Sequence, residues 1–150
     1  MSAALVAFVH HAAAFTLVAA LAIELVLMRG ELTPTRARQL LRADALFGIA
    51  AGIVLVVGLA RVFYFEKGAA YYFHNAAFIA KLALFVLAGL LSIYPTVQFL
   101  RWRPALRGGQ TPALADDTRR RIRSIIHFEL AGVVVLLLCA ALMAKGLGHV

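Results

Sequence analysis

Residues 7–25 read "AFVHHAAAFTLVAALAIEL". Apart from His10, His11, Thr16 and Glu24 the stretch is apolar, and it contains neither glycine nor proline. The apolar run extends over about residues 3–28, and about 20 such residues suffice to cross a bilayer as a helix. Three more runs follow, over about 43–65, 73–100 and 122–145. They are separated by "MRGELTP", "EKG" and "RWRP", and the last is framed by "RRRIRS" and "KGLGH". Hydrophobic residues make up 63% of the 150 and charged residues only 15%, against about 45–50% and about 25% in soluble domains. The runs are too long and too uniformly apolar for the alternating strands of an outer-membrane barrel. A helix satisfies its own backbone groups in hydrocarbon. The expectation is an all-α, integral membrane four-helix bundle in which residues 1–150 form a single transmembrane domain.

The first run lacks a basic leader, exceeds the apolar core of a signal peptide and contains Glu24, so it reads as a retained span. The single cysteine, Cys139, has no partner for an internal disulfide, and no Cys-x-x-Cys-His motif attaches a c-type haem.

Charge sets the orientation. Arg29, Arg36, Arg38 and Arg42 follow the first span, and Arg101, Arg103, Arg107, Arg119, Arg120, Arg121 and Arg123 follow the third. Loops 1 and 3 are therefore expected to be cytoplasmic, with both termini outward (periplasmic) in a bacterial inner membrane. The net charge of +8 then needs no nucleic acid, because basic loops meet anionic lipid. "TPTRARQLLRAD" reads as a short amphipathic surface helix capped by Thr33, with Pro34 at its first position. "GGQTPALADD" reads as a loop, with Asp116 and Asp117 at the start of the fourth helix. Gly48 and Gly52, four apart, offer a face for close helix approach, within the bundle or between copies in a homo-oligomer. Pro95 is expected to bend the third helix.

At about 1.5 Å per residue, the polar groups inside the spans fall into two layers. His10, His11, Arg61, His74 and Lys81 share the outer half. Glu24, Asp44, His127 and Glu129 collect at the inner end. Ionisable groups at such depth are expensive and by default mark a site. The outer layer offers imidazoles, a lysine and an arginine with no carboxylate to neutralise them, which suits a metal, an anion, or both. Haem b supplies both needs: imidazole is a usual axial ligand, and Arg61 or the boundary residue Lys67 suits a propionate. A bare zinc or copper ion lacks an acid or thiol to complete its shell. His10 is in phase with Leu17, Leu21 and Glu24, so it points inward and His11 does not. Lys81 matches its depth better than His74, and either stands as second ligand.

Glu24 and His127, at similar depth, pair either as a proton-passing couple or as a pin between two helices. Glu129 lies about 200° around the fourth helix from His127, so only one of them lines a cavity. Asp44, close to Arg38 and Arg42, reads as an interfacial charge. The aromatics of "RVFYFEKGAAYYF" read as an interfacial belt or as cover for a porphyrin edge.

"FVHHAAAFT" and "AKLALFVLAGL" resemble the first and third spans of the haem-containing protoporphyrinogen oxidases of the HemJ type. There a histidine is followed six residues on by threonine, as His10 is by Thr16, and a lysine precedes leucine, as Lys81 does Leu82. That resemblance implies His10 and Lys81 as the essential pair. The whole chain looks more like a bacterial family of predicted membrane proteins of unknown function, and more distantly like the copper-resistance D proteins. The expected function is haem b binding with a redox role: electron transfer, or oxidation of a membrane-soluble substrate such as a quinol or porphyrinogen, with possible enzyme activity left open. The competing expectations are a cofactor-free proton or ion pathway through His10, Arg61, Lys81, Glu24 and His127, and a structural membrane subunit.

Overall fold

The computed structural model describes residues 2–65 and 74–144. Lys67, Tyr71, Tyr72 and Phe73, named above as a propionate partner and as part of the aromatic belt, lie outside the described residues. Helix α1 spans Ser2–Leu27 and α2 spans Pro34–Ala60, running on into a π-helical turn, Arg61–Phe65. Helix α3 spans Ala76–Arg101 and is followed by a short helical turn, Arg103–Arg107, before α4, Asp116–Ala144. All four are long and apolar enough to cross a membrane. Helix α1 packs on α2 and α4, and α3 packs on the same two. The arrangement is a square with α1 and α3 on one diagonal, as short connections between antiparallel helices favour.

The expected surface helix and second span are one continuous helix. Thr33 caps it, its hydroxyl accepting the Arg36 N–H at 3.2 Å, and Pro34 occupies the first turn. Nothing between Arg42 and Ala43 breaks it. Ala37, Leu40, Asp44, Phe47 and Ala50 are buried along a single stripe, spaced three or four apart as one helix face requires. Helix α3 passes through Pro95, which is buried inside it and leaves the Leu91 carbonyl without its usual i+4 donor. Asp116 and Asp117 open α4, where the helix dipole favours negative charge.

The core is lopsided. Leu17, Leu21, Met28, Leu40, Phe47, Phe99, Trp102, Ile122 and Ile126 form one buried cluster in the half of the bundle that carries the arginine-rich loops, hereafter the basic end. Among the described residues of the far end, Val62 and Phe78 form a second, smaller cluster, with Leu82 packed against it. Phe15, Ile49, Val56, Leu90, Val134 and Leu137 lie exposed around the perimeter. Lipid tails are as apolar as these side chains, so a membrane helix need not bury them.

The arginines of the basic end tie the helix ends together as well as facing outward. Arg119 Nη1 donates to the carbonyls of Met28 (3.1 Å) and Gly30 (2.7 Å), filling acceptors that the end of α1 leaves open. Arg38 Nη2 donates to the Leu106 carbonyl at 3.2 Å, and the Arg121 guanidinium sits 5.3 Å from the centre of the Tyr94 ring. The glycine face behaves otherwise than as intrachain packing. A Cβ added to Gly48 or Gly52 would meet nothing within 4 Å, because that face of α2 points away from the other helices. Close approach to a neighbouring helix occurs at Gly58 instead, and Gly132 is in ordinary contact with Leu84.

Candidate functional site

At the far end, His10 is half-buried on α1 and its ring lies against Gly58 of α2. A Cβ on Gly58 would stand 3.1 Å from the ring's Cε1 and 3.5 Å from Nδ1. Any larger residue there would displace the imidazole. Nδ1 is buried with no hydrogen-bond partner, although the Val54 carbonyl comes near enough to act on the ring. Lys81 on α3 and Arg61 at the start of the π-helical turn both act on His10 electrostatically, and both are half-buried. Short π-helical segments recur at functional sites.

His11 is exposed, its Nδ1 donating to the Ala7 carbonyl at 2.7 Å. Its ring meets that of His10 edge to face, with centroids 5.9 Å apart. His74 is exposed in the turn before α3, beside the buried Asn75. The Asn75 side chain caps α3 by accepting the Phe78 N–H at 3.1 Å. Lys81 and Arg61, on two other elements, thus lie within electrostatic range of His10, and His74 is exposed.

The second layer lies in the basic half. Glu24 on α1, Asp44 on α2 and Glu129 on α4 are 2%, 7% and 3% exposed. Glu24 interacts electrostatically with both of the others, and Glu129 with Asp44. The Thr96 hydroxyl, on α3 next to Pro95, donates to Asp44 Oδ1 at 2.6 Å. Oε1 of Glu24 and Oε1 of Glu129 are buried with no hydrogen-bond partner. His127 is not part of this layer: it is exposed, and its Nδ1 pairs with the Arg123 carbonyl at 2.6 Å, one turn back on its own helix. The two residues between His127 and Glu129 turn the helix by about 200°, and the packing of α4 places Glu129 inside.

The model of the family described as "Predicted membrane protein (DUF2214)" matches residues 2–148. The chain belongs to this family. None of the curated proteins and none of the solved structures matches it significantly.

For this DUF2214 chain, sequence reasoning underrated two residues. Asp44 is an interior group rather than an interfacial charge, and Glu129 rather than His127 is the buried polar residue of α4. Both were marked in the sequence by spacing. Asp44 falls on the stripe of Leu40 and Phe47, and Glu129 follows Ile122 and Ile126 by steps of four and three. Among the described residues no three histidine, cysteine or acidic side chains group closely enough to hold a metal ion. The far-end layer offers nitrogen groups of different kinds, and the carboxyls of the basic-end layer offer oxygen.

Proposed function

We propose that the chain is a haem b-binding protein of the bacterial inner membrane with a redox role, its site built from His10, Lys81 or His74, and Arg61. The observation that supports this reading most is the setting of His10. An imidazole with an unpartnered Nδ1 sits in the space that Gly58 leaves open, with an amine and a guanidinium in electrostatic reach. The donor chemistry fits haem b: a nitrogen base for the iron and fixed cations for propionates. Bound there, haem would supply one-electron exchange.

The chain's own residues do the rest. Gly58 sets the position of the imidazole, since no side chain stands between the ring and α2. Lys81 offers its amine from α3 as second ligand, with His74 at the rim as the alternative. Arg61 holds negative charge at the far end, and the exposed apolar perimeter faces the bilayer from which a quinol or porphyrinogen would arrive. The open Gly48–Gly52 face fits a second copy of the chain, as a homo-oligomer would require.

Arg61→Ala is expected to lower haem retention on washing while leaving the position of the absorption bands unchanged, because it removes a propionate partner and not a ligand. Haem content after repeated detergent exchange, read beside the spectrum, tests this. Unchanged retention would remove Arg61 from the site.

A further inference from the structure

The carboxyls in the basic half pose a separate problem. A buried ionised carboxylate is costly unless it is paired, and like charges in a medium of low dielectric repel one another. Helix α1 contributes Glu24, α2 contributes Asp44, α4 contributes Glu129, and from α3 the Thr96 hydroxyl donates to Asp44. Arg123, on the same helix as Glu129, is half-buried with its Nε unpartnered. Oε1 of Glu24 and Oε1 of Glu129, each on a side chain at least nine-tenths buried, thus lie in this half of the bundle without a donor.

Something cationic must neutralise them, and the geometry selects which. Among the described residues the carboxyls do not group closely enough for a metal's coordination shell. A proton binds one oxygen and needs no shell. We propose that Glu24, Asp44 and Glu129 form a proton-holding site in the basic half of the bundle. Glu24 and Glu129 each carry a proton, and Asp44 accepts from the Thr96 hydroxyl. Glu24 stands about one turn from the end of α1 at the basic end. Leu17, Ala20 and Leu21, all buried, separate this layer from His10. These protons therefore exchange with the side bearing the arginine-rich loops, and the site stands whether or not His10 binds haem.

The test is infrared difference spectroscopy of the full chain in lipid nanodiscs at neutral pH, with and without sodium. The expected result is a carbonyl band of a protonated carboxylic acid that shifts on exchange into D₂O, persists in sodium, and is lost or diminished in Glu24→Gln and Glu129→Gln. A second measurement does not depend on the variants folding. A carbodiimide, which attacks protonated carboxyls in apolar surroundings, should label Glu24 or Glu129 of the unmodified protein, as mapped by mass spectrometry. Absence of the acid band together with absence of the adduct would overturn the proposal. So would a band that appears only when sodium is withdrawn, which would make the occupant an alkali cation.

Discussion

His10→Ala is expected to yield a folded protein that purifies without haem, whereas His11→Ala should retain it at the level of the unmodified chain. The two histidines are neighbours in sequence and differ in what they face. The His10 ring is half-buried against Gly58 with Lys81 and Arg61 in reach. The His11 ring is exposed and already satisfied by the Ala7 carbonyl one turn back. A helix separates adjacent residues by about 100°, so only one of the pair faces inward. Pyridine haemochrome assay of both variants measures the difference directly, with circular dichroism to establish that each is folded. Equal loss in both, or loss in His11→Ala alone, would overturn the assignment of the inward face.

Phe99→Ala is expected to be the most destabilising single truncation, by about 3 kcal/mol, the lower part of the range for removing a buried phenylalanine. Phe99 is fully buried, and its ring centroid lies 5.0 Å from that of Trp102 in a tilted arrangement. It belongs to the cluster that joins all four helices at the basic end. The lower part of the range applies because lipid supplies little hydrophobic drive between helices, so the loss is chiefly packing. Phe15, 78% exposed on the perimeter of α1, is the control: Phe15→Ala should change stability little. Denaturant titration in a fixed detergent, following helicity, compares the two. Similar midpoints for both variants would mean that the basic-end cluster does not hold the bundle together.

The spans were legible because apolar length is a blunt signal that no tertiary contact overrides. Their ends were less so. The start of α2 was missed by a surface-helix reading because "TRARQLLRAD" carries the charges of an interfacial segment. Nothing in it stops a helix, however, and Ala37 and Leu40 continue the stripe that Phe47 and Ala50 complete inside the membrane. Depth alone puts His10, His11, Arg61, His74 and Lys81 in one layer, but it does not say which of them face one another. Which face of α4 turns inward could not be read from depth, because His127 and Glu129 share it. Only the phase of Ile122 and Ile126 separates them, and that signal is weak beside the chemical appeal of a Glu–His pair. The disposition of Gly48 and Gly52 depends on how α2 rotates against its neighbours, which small-residue spacing does not fix.

The measurement that bears most directly on the haem reading is a visible spectrum of the detergent-purified chain, oxidised and then reduced with dithionite, with haem quantified per chain. A haem-binding chain is expected to show a Soret band and a sharp reduced α band at about one haem b per chain. A protein that stays colourless when expressed with added haem would contradict the haem reading, and would leave His10, Lys81 and Arg61 as part of a cofactor-free polar layer.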